Sequence, residues 1–256
     1  MSAAMECRTI AFANQKGGVG KTTSVVNLGA YIASAGRKVL LIDFDPQANL
    51  SSSVGADKES PGIYDVITGK VALLDAIQET PIDGMQVCAS NIDLTGANVE
   101  LINADRREYF LRDAISKYEG RWEYLLVDCP PSLGILTLNG LAAVEYVFIP
   151  LQCEYFALEG LSLLMQTIRT VKRGVNPGLR IGGIFFTMYD SRTRLANEVV
   201  QEVTGYFKDT VFRTVIPRNV RLSEAPSHSV PINLYDDACI GANSYRKLAE
   251  EVINRV

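Results

Sequence analysis

Ten consecutive residues, Asn14-Gln15-Lys16-Gly17-Gly18-Val19-Gly20-Lys21-Thr22-Thr23, combine the side chains and backbone freedom needed to hold a polyphosphate. Glycines let the chain curl so that successive N–H groups face inward, and a helix opening behind them adds partial positive charge. In such a loop Lys21 reaches the β- and γ-phosphates and the Thr22 hydroxyl coordinates Mg²⁺, which makes a polyphosphate with Mg²⁺ the expected ligand. Lys16, Gly17, Gly18, Val19, Gly20, Lys21, Thr22 and Thr23 are the candidate contacts. The common pattern G-x-x-x-x-G-K-[ST] asks for a glycine where Gln15 stands, and a second lysine, Lys16, precedes Gly17 instead. The plain alternative is a glycine-rich turn with no ligand. The strand-like run before the loop and the helical pattern after it argue for the ligand.

Carboxylates come next. Lys38 to Ile42 reads as a buried strand that ends in Asp43-Phe44-Asp45, and Trp122 to Val127 as another that ends at Asp128. Continuous apolar strands belong to parallel sheets covered on both faces, and ligands bind at their carboxyl ends. All three acids therefore belong near the phosphate loop. Asp128 has the Walker B arrangement, holding Mg²⁺ through its water shell. Asp43 reads equally well as a turn or capping acid. Cys129 is a small buried filler, since no base neighbours it.

These groups must be positioned by alternating strands and helices. Strands are expected at Thr9–Ala13, Lys38–Ile42, Gln86–Ala89, Trp122–Val127, Tyr146–Leu151, Ile181–Met188 and Val211–Ile216. Helices are expected at Ser24–Ala35, Ile63–Thr68, Leu73–Ile77, Asn98–Tyr118, Leu136–Ala143, Leu195–Phe207 and Asn243–Val256, with one more ending near Arg173. The stretch after Pro46 reads as a mobile loop. The pattern is that of an α/β protein with a doubly wound, mostly parallel sheet and helices on both faces. The 256 residues suit a single domain spanning 1–256.

Composition excludes several classes. No apolar run approaches the ~18 residues of a membrane span, and Met1 to Arg8 lacks the features of a signal peptide. Five cysteines without a C-x-x-C pair read as reduced thiols in a cytoplasmic protein. His228 is the only histidine, so histidine-based metal or triad chemistry has no basis. The net charge is −4, yet Met165 to Ala225 carries ten basic residues against five acids. A solvated basic face accounts for that as readily as nucleic acid does.

Lys16 to Thr23 resembles the deviant Walker A loop of the ParA/MinD/nitrogenase-iron-protein class of ATPases. In that class the extra lysine crosses a dimer interface to the other subunit's nucleotide. Asp43-Phe44-Asp45-Pro46-Gln47, Asp128-Cys129-Pro130-Pro131-Ser132-Leu133-Gly134 and Ile216-Pro217-Arg218-Asn219-Val220-Arg221-Leu222-Ser223-Glu224-Ala225-Pro226-Ser227 are similar to chromosomal, Soj-type ParA proteins. The resemblance spans nearly the whole chain. It implies that Asp45 orients the attacking water and that Pro217 to Asn219 lies against the adenine, with Pro217 and Asn219 as contacts. Lys16, Lys21, Asp45 and Asp128 then form the catalytic set. It also implies an ATP-bound homodimer, non-specific DNA binding on the nucleoid and a ParB/Spo0J-like centromere-binding partner, with no membrane.

Arg192 matches a DNA-contacting arginine of Soj relatives, and Arg221 is the second choice, ahead of Arg218 and Arg194. Each reads alternatively as a surface arginine in a local ion pair. Tyr235 to Gly241 is acidic where many Soj proteins are basic. A MinD-like membrane-cycling ATPase would need a basic amphipathic C-terminal helix, and Lys247 to Val256 is short with acids at its middle. An ATP-binding scaffold that recruits a polar partner is the other reading. An iron–sulfur reductase fails for want of suitably spaced cysteines.

Overall fold

In the computed structural model, which describes residues 7–118 and 120–256, the apolar run Arg8–Phe12 forms β1. The glycine loop then leads into α1 (Lys21–Ser34). β2 (Val39–Asp43) is buried along its whole length. After it come α2 (Asn49–Ser53), α3 (Ile63–Ile67), β3 (Ile77–Glu79) and β4 (Met85–Cys88). Helices α4 (Leu94–Glu100) and α5 (Phe110–Ile115) precede β5 (Tyr124–Asp128), and α6 (Ile135–Ala143) precedes β6 (Tyr146–Gln152). The long α7 (Ala157–Gly174), β7 (Arg180–Thr187) and α8 (Arg194–Phe207) follow. Short helices α9 (Arg221–Glu224) and α10 (Ile232–Tyr235) lead to α11 (Ile240–Arg255).

The seven strands form one sheet in the order β3-β4-β2-β5-β1-β6-β7, parallel except for β3, which runs antiparallel to β4. Strand side chains alternate between two cores. Ile10, Phe12, Val39 and Leu41 face the side covered by α1 and α11, while Ala11, Leu40 and Ile42 face the side covered by α3 and α5 to α8. This is the doubly wound sheet expected from the alternation. Asp128 stands in register with both Phe12 of β1 and Asp43 of β2. Three strands thus end at one level, and the loops that follow them share one rim of the sheet.

Four expectations are corrected. Asn98–Tyr118 is not one helix: Arg106 takes a left-handed φ of 55°. There the Asn139 amide donates to the Arg107 carbonyl, at 2.8 Å, and its oxygen accepts from the Leu111 N–H. Leu73–Ile77 is a single 3₁₀ turn, Leu73–Ala76, that runs into β3. Val211–Ile216 follows the edge of β7 but makes only one isolated bridge, between Val211 and Ile184. The N–H groups of Arg213 and Thr214 go to the Glu251 carboxylate of α11 instead, at 2.8 and 3.1 Å. The stretch after Pro46 contains α2, because Asp43 captures Ser51.

Candidate functional site

The loop between β1 and α1 holds its shape through Asn14, Gly18 and Gly20. Gly18 and Gly20 have φ of 73° and 82°, in the left-handed region where a side chain is strained. The Asn14 amide donates to the Pro150 carbonyl at 2.8 Å, and its oxygen accepts from the Lys16 N–H at 3.0 Å. The Lys21 ammonium lies buried across the curl, donating to the carbonyls of Asn14 and Lys16 at 3.2 and 3.3 Å. Burial pushes its pKa down, and the neighbouring carboxyl groups of Asp128 and Asp45 oppose that shift. A cation so placed gains a strong counter-charge once a phosphate enters the curl.

Thr22 is the second residue of α1, and its hydroxyl donates to Asp128 Oδ2 at 2.6 Å. Oδ1 of the same carboxylate is buried and has no hydrogen-bond partner among the described residues. Burial, reinforced by Asp43, raises the Asp128 pKa well above the carboxylate range, while the Thr22 hydrogen bond and Lys21 pull it back. A buried, orphaned carboxylate oxygen beside a threonine hydroxyl fits a hydrated Mg²⁺, which prefers water, hydroxyl and phosphate oxygens to an all-protein cage.

Asp43 is fully buried, accepting from the Ser51 N–H and hydroxyl and from the Asp45 N–H. Burial raises its pKa to about 6, and those three hydrogen bonds limit the rise. Asp45 is buried at the same rim, with one carboxylate oxygen accepting from the Gln47 N–H at 3.0 Å. Lys16 differs from Lys21: it is half-exposed and forms an ion pair with Glu154, just before α7. Beside it Tyr155 and Phe156 stack edge to face at 5.0 Å while remaining 76% and 65% exposed.

A 350 Å³ cavity opens beside the loop, lined by Gly20, Thr23, Thr187, Met188, Pro217 and Asn219 among others. Pro217 and Asn219 thus share one cavity wall with Gly20 and Thr23 at the start of α1. The sequence reading did not single out Thr187 or Met188; their place at the carboxyl end of a parallel strand was the available signal. It also passed over Asn14 and Glu154, whose partners lie more than 130 residues away in the chain.

The arginines sit elsewhere. Arg192 forms a two-pronged pair with Asp190, at 2.9 and 2.7 Å, and its side chain is 87% exposed. Arg221 pairs with Glu224 at 2.9 Å and with Asp236 at 3.5 Å. The acids of the Tyr235 to Gly241 segment are likewise engaged, Asp237 by Arg246 and by the Tyr31 hydroxyl.

Fold and loop together define a nucleotide-binding α/β protein of the P-loop class with a second, outer lysine. A family model described as an AAA domain matches residues 7–181. The chromosome-partitioning ATPase Soj of Treponema pallidum is 57% identical over 97% of this chain and 98% of its own length. The sporulation initiation inhibitor protein Soj of Bacillus subtilis is 49% identical over 96% of this chain and 98% of its own. The chain belongs to the Soj/ParA family of chromosome-partitioning ATPases.

Among solved structures, a Mycobacterium smegmatis cobyrinic acid a,c-diamide synthase with bound ATP analogue and magnesium superposes with a TM-score of 0.84. It is 38% identical and covers 97% of this chain and 95% of its own. Its name denotes another reaction, but the Soj relatives match as much of the chain at higher identity.

Proposed function

We propose that the chain is a nucleotide-timed DNA-partitioning switch. It dimerises on Mg·ATP, binds DNA without sequence preference, and lets go after hydrolysis stimulated by a ParB/Spo0J-like partner. The observation that carries the nucleotide half is the Thr22–Asp128 pair, whose orphaned oxygen sits at the foot of a loop capped by buried Lys21. ATP supplies the transferable phosphoryl group, and Mg²⁺ neutralises its charge. Lys21 binds the phosphates, Thr22 and Asp128 hold the metal and its water, and Asp45 orients the attacking water. Pro217 and Asn219 receive the base.

Self-association is supported by Lys16 and its surroundings. An exposed aromatic pair beside a half-exposed lysine is a patch suited to a second copy of the chain. In the dimer Lys16 leaves Glu154 for the opposite nucleotide, so loss of the γ-phosphate weakens the interface and times its release. DNA binding by Arg192 and Arg221 is compatible with their ion pairs, because surface pairs contribute little and exchange readily for phosphate. Two subunits present both arginines twice, which enlarges the local basic patch offered to phosphates although the total charge stays acidic.

A membrane-cycling role is weaker. The apolar face of α11, with Tyr245, Leu248 and Val252, packs into the core shared with α1. We place the protein in the cytoplasm, on the nucleoid when ATP-bound. Co-sedimentation with DNA in ATP, ADP or no nucleotide, at two salt concentrations, is the test. Binding that requires ATP and falls steeply with salt is expected; nucleotide-independent or absent binding favours the recruitment scaffold.

A further inference from the structure

We propose that Ser51 is a positioning residue for Asp45, fixing the water-orienting carboxylate by closing the segment 43–51 upon itself. The inference rests on the role given to Asp45 above.

The segment leaves the sheet at Asp43 and carries Asp45 two residues on. It then turns back tightly: the Ala48 N–H donates to the Asp45 carbonyl at 2.9 Å, and Ala48 takes a left-handed φ of 52°. A non-glycine residue in that region is strained, and persists only where its surroundings determine it. The Asp45 carboxylate does not supply that anchorage, since its hydrogen bond goes to Gln47 within the same turn. Ser51 does. Its N–H and its hydroxyl both donate to Asp43 Oδ2, at 2.8 and 2.7 Å, while Asp43 Oδ1 accepts from the Asp45 N–H at 3.2 Å. One carboxylate on a rigid strand therefore grips both arms of the turn that presents Asp45.

The Ser51 hydroxyl has a second task. It accepts from the Ser90 N–H at 2.9 Å, just past the end of β4. Asp43, Ser51 and Ser90 are thus linked by one fully buried hydroxyl, and two strand ends brace the turn. The side-chain hydrogen bonds of Ser51 go to Asp43 and Ser90, not to the phosphate loop. Its effect is expected on the placement of Asp45, and nucleotide affinity is the readout that separates this from an effect relayed through Asp43 to Asp128. Replacing the hydroxyl by hydrogen removes one of the two Ser51 donors from Asp43 and leaves the Ser90 N–H without its acceptor, so the turn keeps only the Ser51 N–H bond to Asp43 and loses its tie to the end of β4.

Ser51→Ala, Ser51→Thr, Asp45→Ala and the double variant Asp45→Ala/Ser51→Ala test this in the full-length chain. Ser51→Ala should turn over ATP about ten- to a hundredfold more slowly, with KM and equilibrium affinity for a fluorescent ATP analogue within about twofold of wild type. By light scattering its ATP-bound dimer should decay correspondingly slowly. Ser51→Thr, which keeps the hydroxyl, should restore turnover, and the double variant should be no slower than Asp45→Ala because both changes act through one group.

Wild-type turnover in Ser51→Ala alongside a stalled Asp45→Ala would sink the bracing role and leave the Asp45 assignment standing. Wild-type turnover in Asp45→Ala would remove that assignment itself, and this inference with it. ATP affinity falling in step with turnover, or additive losses in the double variant, would make Ser51 merely structural. A Ser51→Thr variant that melts normally but stays slow would also overturn the proposal.

Discussion

The Thr22 hydroxyl donates to Asp128 Oδ2 at 2.6 Å across 106 residues of sequence, leaving Oδ1 buried and without a partner among the described residues. The two residues come together because β1 and β5 are neighbouring parallel strands with Phe12 in register with Asp128. On the proposal that this carboxylate holds metal-bound water, Asp128→Asn should raise the Mg²⁺ needed for half-maximal ATP turnover by about ten- to a hundredfold. A Mg²⁺ titration of ATPase activity measures this, and an unchanged midpoint would remove Asp128 from the metal site.

Lys21 is held by two loop carbonyls and is otherwise buried. Lys21→Ala deletes the charge-assisted bonds to phosphate, so ATP should bind about ten- to a hundredfold more weakly. Equilibrium binding of a fluorescent ATP analogue reads this out. Retained affinity would place the phosphates elsewhere.

Lys16 has a different prediction, because its ammonium rests on Glu154 at the surface and not inside the curl. Lys16→Ala should bind ATP near wild-type strength yet stay monomeric with ATP in light scattering. If it dimerised normally, the outer lysine would have no part in assembly.

Arg192 is almost wholly exposed and shares its charge with Asp190. Arg192→Ala should weaken DNA binding to all sequences alike and lower the slope of log affinity against log salt by about 1 for each phosphate it no longer neutralises. ATP-driven dimerisation should persist; its loss would assign Arg192 to structure.

Gly183 of β7 lies beneath the Phe212 ring, where an added Cβ would meet Phe212 Cε2 at 1.9 Å. The ring is fully buried among Phe148 and Phe185 and cannot swing aside freely. Gly183→Ala should destabilise the fold by about 1–3 kcal/mol, which thermal denaturation would register as a drop of several degrees. An unchanged melting temperature would mean that the edge of the sheet can give way locally.

Much of this was legible in the chain itself. Apolar runs ending in Asp43 and Asp128, and a glycine loop between strand and helix, specify the parallel sheet and the acids at its rim. Local pattern alone carries that information, because strand burial and loop chemistry are written in consecutive residues. The helix expected over Asn98–Tyr118 failed for the opposite reason. Its break is held by Asn139, which lies well outside any local window.

The sequence by itself determined which groups could grip a polyphosphate and in what kind of fold. Only the tertiary structure decided how they are poised: Lys21 inward and Lys16 outward on Glu154, Arg192 and Arg221 already paired with acids, and Asp43, read as a turn or capping acid, given Ser51 as its partner. The physical reason is that a side chain's type fixes its chemistry. Its partner, charge environment and access to water depend on strands and helices that meet only once the sheet has formed.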